Sequence, residues 1–324
     1  MDRLEEFVAL LQESPGYMSG QSLAKKAGIS RSAVWKHVRK LRQCGYKIES
    51  LHGQGYWLAG VTEHPVPWEL FKLLNTSFVG RGEIVYRDSA SSTQNIAVAL
   101  AEKGTTNAVV IAEQQSGGRG RMKRKWVSPR GGVWISVVLK PAVPTATSTM
   151  LPFVAAIAVC DAIGETTKLA ATLKWPNDVM VAGKKLAGIL LDLSAEAETV
   201  NYAVIGIGIN ANVDASKLKI DREGRTAVTS LRDELGRNVN RLQLVKLLLE
   251  KLEYFSMMLE KSGSPAIVAE WRKRSDMVGK KVAVLQQGKS HYGVATGIND
   301  DGSLAVRTAA GDMNVVSGDV LVSY

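Results

Sequence analysis

LKWPNDVMVAGKKLAGILLDLSAEAETVNYAVIGIGIN, residues 173–210, reads as four strands in succession. They are Leu173–Trp175, Val179–Val181, Leu186–Leu193 and Tyr202–Asn210, joined by turns. Working outward, Val133–Leu139 is β-rich, Ala108–Ala112 and Glu83–Arg87 are short apolar runs, and helical patterns cover Ser92–Lys103, Thr149–Glu165 and Arg241–Leu259. Strands gathered in the middle with helices around them predict an α+β domain with a largely antiparallel or mixed sheet. Gly206-Ile207-Gly208-Ile209-Asn210 is not GxGxxG, and no GxxxxGK[ST] occurs, so neither a dinucleotide fingerprint nor a Walker loop is supported.

The two ends differ from this centre. Leu4, Phe7, Val8 and Leu11 recur at helical spacing, and Pro15-Gly16 ends that helix. A short helix near Gln21–Lys26, a turn at Ala27-Gly28-Ile29 and a third helix capped by Ser30 and running through Arg42 follow. Tyr46–Ser50, the turn His52–Gly55 and Tyr56–Leu58 complete a winged helix-turn-helix. Residues 61–80 look like a connector, with a helix-like segment at Trp68–Leu74. At the other end, Lys281–Gln286, Tyr292–Ile298, Leu304–Thr308, Met313–Val316 and Val320–Tyr324 are five short strands, as in a small SH3-like β-barrel. The expected domains are 1–64, 65–272 and 273–324.

Composition bounds the function. An apolar fraction of 45% over 324 residues suits a soluble chain of two or three domains. The longest apolar run, about Met150–Cys160, is too short to span a bilayer. Acidic residues in the first turns argue against a signal peptide. Cys44 and Cys160 form no disulfide framework and no structural metal cluster, which points to the cytoplasm. A net charge of +10 suggests an anionic partner, with nucleic acid, nucleotide phosphate and plain solubility all open.

Between Ser14 and Ile48 there are eight basic residues and no acid. Duplex DNA requires such a field to displace its counterions. Ser30, Arg31 and Ser32 open the proposed recognition helix, and Trp35, Lys36, His37 and Arg39 are expected to face outward; Ser22 joins the DNA-facing set. A protein-interaction module is the alternative. His37 and His52 lack companions for a metal site.

Four central segments carry chemistry. Ser91-Ser92-Thr93-Gln94 sits at a strand-to-helix junction, where hydroxyls either cap the helix or bind a polar substrate head. Gln114-Gln115-Ser116 leads into GGRGRMKRKW, residues 117–126, whose charges are all positive. Its glycines are expected to adopt positive φ and its arginines to suit a polyphosphate or carboxylate; a basic surface loop is the alternative. In Lys174-Trp175-Pro176-Asn177-Asp178, Asn177 and Asp178 either make an Asx turn or serve a base and a magnesium ion. One lysine of Lys184-Lys185-Leu186-Ala187-Gly188 is placed either as a phosphate clamp or as an edge charge. No Ser-His-Asp or Cys-His set stands out. A carboxylate attacking a nucleotide α-phosphate needs alignment and cations, not a protein nucleophile.

Ser92-Thr93-Gln94, Gln115 followed by GGRGR, KWPND, GKKLAG and GIGIN, in this order, closely resemble a biotin–protein ligase. With the winged helix in front and the small barrel behind, all 324 residues resemble the bifunctional biotin ligase and biotin-operon repressor of bacteria. The resemblance implies ATP, biotin and Mg2+ as cofactors, biotinyl-5′-AMP as intermediate, and transfer to a lysine of the biotin carboxyl carrier protein of acetyl-CoA carboxylase. It implies operator DNA as a further partner, a homodimer when loaded with biotinyl-5′-AMP, and no membrane. It assigns Ser92, Thr93, Gln94, Gln115, Arg119, Gly120, Arg121, Lys185 and Gly188 to biotin, with Arg121 and Lys185 catalytic at the acyl-phosphate. Trp126, Asn177, Asp178 and Asn210 go to the adenylate, with Asp178 near the metal. Many relatives continue GRGR-x-G-R, whereas this chain has Met122-Lys123. A lipoate or octanoate transferase and a ligand-sensing transcription factor without ligase activity are the competing readings.

Overall fold

The computed structural model describes residues 3–218, 227–286 and 289–322. The chain divides into two compact units, one of Met1–Lys72 with Asn240–Gln243, the other of Leu73–Val239 with Leu244–Tyr324.

The first unit opens with α1 (Arg3–Gln12), α2 (Gly20–Ala27) and α3 (Arg31–Gln43). Ser30 caps α3 by accepting from the Ala33 amide at 3.2 Å, and Gly28 ends α2 in the left-handed region at φ 63°. Phe7, Val8, Leu11, Leu23, Val34, Val38 and Leu41 close the three-helix core. The wing is β1 (Lys47–Leu51) paired antiparallel with β2 (Gly55–Gly60). Next comes α4 (Pro67–Leu73), whose Trp68 indole donates to the buried Tyr46 hydroxyl at 2.6 Å.

The second unit is built on β3 (Ile84–Arg87), α5 (Thr93–Glu102), β4 (Val109–Ala112), β5 (Val133–Leu139), α6 (Thr145–Ser148), α7 (Leu151–Thr167), β6 (Ala171–Lys174), β7 (Asp178–Val181), β8 (Lys184–Glu196), β9 (Thr199–Ile209), α8 (Leu231–Leu235) and α9 (Arg241–Arg274). Strand order is β3-β4-β5-β9-β8-β7-β6, with β3–β4 parallel and the other pairs antiparallel, a mixed sheet. All seven residues of β5 are buried, as expected of a central strand covered on both faces.

The helix region Thr145–Thr167 corrects the expectation about apolar length. It is long and apolar enough to cross a bilayer, because Pro152 starts α7 instead of breaking it and Asp161 is accommodated inside it. Its most apolar window is 72% buried, as in a core helix. Asp161 accepts from Arg274 at 2.7 Å. α9 also outruns its expected end at Leu259, breaking at Gly263 (φ 71°) and resuming to Arg274.

The C-terminal strands β10 (Lys281–Gln286), β11 (Lys289–Ile298), β12 (Leu304–Thr308), β13 (Gly311–Val315) and β14 (Asp319–Val322) form an antiparallel sheet in the order β13-β12-β11-β10-β14. Ser323 and Tyr324, placed from sequence in the last strand, lie outside the described residues.

Candidate functional site

The sheet register builds the site. On one face, Lys174 stands opposite Asp178, Asp178 opposite Gly188, and Gly188 opposite Gly208. The next row sets Ser136 against Gly206 and Gly206 against Leu190. Strict alternation would put Lys185 and Gly188 on opposite faces. A bulge, where Val179 faces Ala187 and Met180 faces Lys185, resets the phase. Lys185 therefore reaches Asp178, Nζ to Oδ1 at 2.5 Å.

The glycines make room for what lies above them. A Cβ on Gly208 would stand 2.6 Å from Trp126 Nε1, and one on Gly188 3.0 Å from the same ring. Trp126 thus lies flat on this pair, with Lys185 Nζ 5.3 Å from its ring centroid. A Cβ on Gly206 would meet Gln94 Oε1 at 2.5 Å. Gly188 leaves clearance for the indole.

The residues from Gln115 to Ser128 form a small hairpin. Gln115 N donates to Ser128 O at 2.9 Å, Trp126 N to Gly118 O at 2.9 Å, and Gly120 N to Arg124 O at 2.8 Å. None of Gly117, Gly118 and Gly120 adopts positive φ, contrary to expectation; Met122 (φ 53°) and Lys123 (φ 61°) do. Left-handed backbone costs a non-glycine residue roughly 1–2 kcal/mol. Gly118 is required for another reason: a Cβ there would be 2.4 Å from Trp126 O across the hairpin. The tip is tied on two sides. Arg121 donates to Asn177 Oδ1 at 3.2 Å, and Arg124 to Asp319 Oδ1 of β14 at 3.0 Å.

One end of the enclosed space is neutral and closed by its own hydrogen bonds. Gln115 Oε1 accepts from Thr93 N at 2.8 Å, and Gln115 Nε2 donates to Ser128 Oγ at 2.9 Å. Thr93 and Ser136 hydroxyls meet at 2.9 Å, and Ser136 donates to Gln94 Oε1 at 2.9 Å. Gln94 Nε2 donates to Asp192 at 3.2 Å and to Val204 O at 3.0 Å. Ser92 is buried at the start of α5 and makes no side-chain cap, so the capping alternative does not hold for it. Arg119 faces this end, 3.3 Å from Asp192.

The other end gathers charge. Arg121, Lys185, Lys174, Asp178 and Asp319 share the wall of one cavity of about 270 Å³ with Trp126 and the neutral group. Burial lowers the pKa of Arg121 and of Lys174 below their ordinary values. The Arg124 hydrogen bond holds the Asp319 carboxyl below the usual carboxylate range. Trp126 Nε1 is buried with no acceptor among the described residues.

All the cavity residues expected from sequence line this wall: Ser92, Thr93, Gln94, Gln115, Arg119, Gly120, Arg121, Trp126, Asn177, Asp178, Lys185, Gly188 and Asn210. Asn210 acts through a neighbour, donating from Nδ2 to Thr229 O at 3.0 Å and so pinning that segment to the sheet. Sequence reasoning missed Ser136, Lys174 and Asp319. Ser136 had a signal, being the lone hydroxyl in VWISVVL.

The DNA-facing set lies on α2 and α3. Ser30, Arg31, Ser32, Trp35 and Lys36 are exposed, with Arg39 5.6 Å over the Trp35 ring. His37 does not face outward as expected. It is half-buried, its ring 5.3 Å from that of Phe7. Ser22 is half-buried in α2.

Three family models match. One described as the biotin/lipoate A/B protein ligase family covers residues 86–210, an HTH domain covers 3–57, and a biotin protein ligase C-terminal domain covers 278–323. The chain is 34% identical over 306 residues to the bifunctional ligase/repressor BirA of Bacillus subtilis, spanning 94% of this chain and 93% of that one. It is 28% identical to the Escherichia coli protein of the same description, over 92% and 90% of the two chains. Among solved structures, the biotin protein ligase from Aquifex aeolicus in complex with biotin and ATP matches with a TM-score of 0.62 at 26% identity. That match covers 74% of this chain and 99% of the other.

Proposed function

We infer the chemistry of the cavity from one premise: the chain belongs to the family of bifunctional biotin–protein ligases and biotin-operon repressors. It is an ATP-dependent biotin–protein ligase with a DNA-binding helix-turn-helix module. The observation that carries the site assignment is the gradient along one cavity, from a neutral amide and hydroxyl network at one end to a cation cluster at the other.

A biotin carboxylate oxygen attacks the α-phosphorus of ATP, and the bond to pyrophosphate breaks. The acceptor lysine's amine then attacks the carbonyl of biotinyl-5′-AMP, and AMP leaves. Neither step needs a protein nucleophile; each needs alignment and positive charge at the developing anions. The neutral end, with Ser92, Thr93, Gln94 and Gln115, takes the ureido ring, whose donors and acceptors match amides and hydroxyls. Arg119 closes that end against Asp192. Arg121 and Lys185 take the carboxylate and α-phosphate, and Gly120 lets the hairpin backbone approach them. Trp126, flat on Gly188 and Gly208, offers a plane for adenine, with Asn177, Asp178 and Asn210 framing the nucleotide side.

Among the described residues no group of three or more His, Cys, Asp or Glu side chains gathers to hold a metal. Asp178 and Asp319 are the two carboxylates in the described cavity wall, which fits a magnesium ion carried by nucleotide phosphates and not a protein cage. Bound there, the ion neutralises phosphate charge.

The acceptor is a lysine of the biotin carboxyl carrier protein of acetyl-CoA carboxylase, the DNA ligand is the operator of biotin genes, and the loaded protein is a homodimer. An open strand edge supports the last point. β7 pairs with β8 only to Gly188, so residues 190–196 have no strand neighbour on that side among the described residues. Two free, buried cysteines accord with the cytoplasm. Domain limits of 1–64, 65–272 and 273–324 divide the chain into its helix-turn-helix, catalytic and C-terminal parts. Operator binding measured with and without biotin plus ATP tests the bifunctional reading. It predicts tighter, dimer-linked binding only when both are present; identical isotherms would reject it.

A further inference from the structure

We propose that Ser136 is a positioning residue for biotin: it accepts the Thr93 hydroxyl proton and so presents the Thr93 oxygen to the cavity as a hydrogen-bond acceptor. The proposal rests on the biotin reading above and adds a residue that neither the sequence motifs nor the site assignment uses.

Two fixed ends set the direction of the hydrogen bonds. At one end stands Val204 O, a carbonyl that can only accept. Gln94 Nε2 donates to it at 3.0 Å and to the Asp192 carboxylate at 3.2 Å. Both amide protons are thereby used, and the amide cannot be turned round. Gln94 is buried, and its Oε1 receives the Ser136 hydroxyl proton at 2.9 Å, its one donor among the described residues. Leaving that oxygen without a donor would be costly. Ser136 has a single proton, so its 2.9 Å contact with Thr93 Oγ1 requires Thr93 to donate. At the other end stands the Thr93 backbone N–H, which can only donate. It holds Gln115 Oε1 toward itself at 2.8 Å and so directs Nε2 to Ser128 Oγ at 2.9 Å. Ser128 in turn donates to Trp126 O at 3.1 Å.

Two groups on the cavity wall are left over by this chain: the lone pairs of Thr93 Oγ1 and the second Nε2 proton of Gln115. They are one acceptor and one donor. A cyclic urea carries an N–H beside a C=O and complements both, whereas a dithiolane ring carries neither. Ser136 is what holds the acceptor. It is fully buried, the lone hydroxyl of an otherwise apolar β5, and a buried hydroxyl is retained where its hydrogen bonds have a use. Thr93 Oγ1 has one other target for its proton, Gln115 Oε1 at 3.2 Å, which the Thr93 amide already engages. Without Ser136 the hydroxyl turns there, its lone pairs turn with it, and Gln94 Oε1 loses its donor.

Isothermal titration with biotin alone, beside steady-state kinetics with ATP varied, separates this role from a merely structural one. For Ser136→Ala the expected result is a Kd for biotin raised on the order of 10-fold. The KM for ATP and kcat at saturating biotin should stay within about twofold of the unaltered chain, which also shows that the variant is folded. Ser136→Cys keeps a side chain of similar shape with a weak S–H donor, so a loss of the same order there assigns the effect to the hydrogen bonds and not to a cavity. In Thr93→Val the acceptor is already gone. Adding Ser136→Ala to it should raise the Kd further by less than about threefold. Losses that multiply in the double variant, a matching rise in the KM for ATP, or an unchanged biotin Kd in Ser136→Ala and Ser136→Cys overturns the assignment of Ser136. If the unaltered chain itself binds no biotin, it is the ligase reading that falls instead.

Discussion

Replacing Gly208 with alanine adds one methyl where the structure leaves no space for it. The new Cβ would sit 2.6 Å from Trp126 Nε1, 2.8 Å from Cε2 and 3.2 Å from Cζ2. Unstrained carbon contacts lie at about 3.5–4.0 Å, so the ring must lift by roughly 1 Å. Gly208 does not use a left-handed φ, so the effect comes from contact and not from backbone strain. Overpacking of this kind costs about 1–3 kcal/mol, or roughly 5- to 150-fold in an equilibrium constant. If Trp126 is the adenine platform, the loss falls on the KM for ATP. Gly206→Ala is the matched control, since its Cβ would strike Gln94 Oε1 at 2.5 Å, one row away at the neutral end. There the loss should fall on the KM for biotin. Steady-state kinetics with each substrate varied in turn gives both constants. Equal rises for ATP and biotin in either variant, or an ATP constant unmoved by Gly208→Ala, would refute the division of the cavity into two ends.

Further expectations concern the hairpin and the DNA module. Arg121→Gly removes the half-buried guanidinium that donates to Asn177, and release of biotinyl-5′-AMP should quicken by a factor worth about 1.5–3 kcal/mol; an unchanged off-rate in filter binding would count against it. Asp319 has a folded pKa below the ordinary carboxylate value, so its tie to Arg124 is fully present above about pH 4 and is lost only as pH falls through that lower value. Tryptic nicking at Arg121–Lys125 should therefore be flat from neutral to mildly acidic pH and faster in Asp319→Asn at pH 7; identical nicking of the two proteins would exclude the tie. Arg31→Ala should weaken operator binding by about 1–3 kcal/mol with biotinylation intact, and matching losses in both assays would indicate general damage. Cys160, whose thiol burial pushes up to about 12, should resist iodoacetamide in the native state, while rapid labelling would contradict its environment.

Elements defined by period and punctuation were legible in the sequence. Phe7, Val8 and Leu11 set the first helix, Ser30 capped the third, and the apolar runs at 109–112 and 133–139 became neighbouring buried strands. Strand lengths were less legible. β8 and β9 continue through Ser194–Thr199 because the ladder between them holds polar residues that no apolar pattern marks. The motifs named the cavity wall well, since glycine, arginine and asparagine at those spacings have few other uses. What they could not give was direction. Arg119 and Arg121 are two residues apart, yet the hairpin turns them to opposite ends. Positive φ fell on Met122 and Lys123 because closing the hairpin required it there, while Gly118 was needed for strand approach. Asp319 lies 195 residues from Arg124, and only the folded chain joins them.

One cavity joins biotin to ATP and hands the product to a protein lysine. Mass spectrometry of an apo carrier domain incubated with the chain, ATP and either biotin or lipoate measures it directly. The expected product is a single biotinylated lysine on the carrier, dependent on ATP, with no lipoylated product. A carrier left unmodified with biotin, or modified only with lipoate, would contradict it.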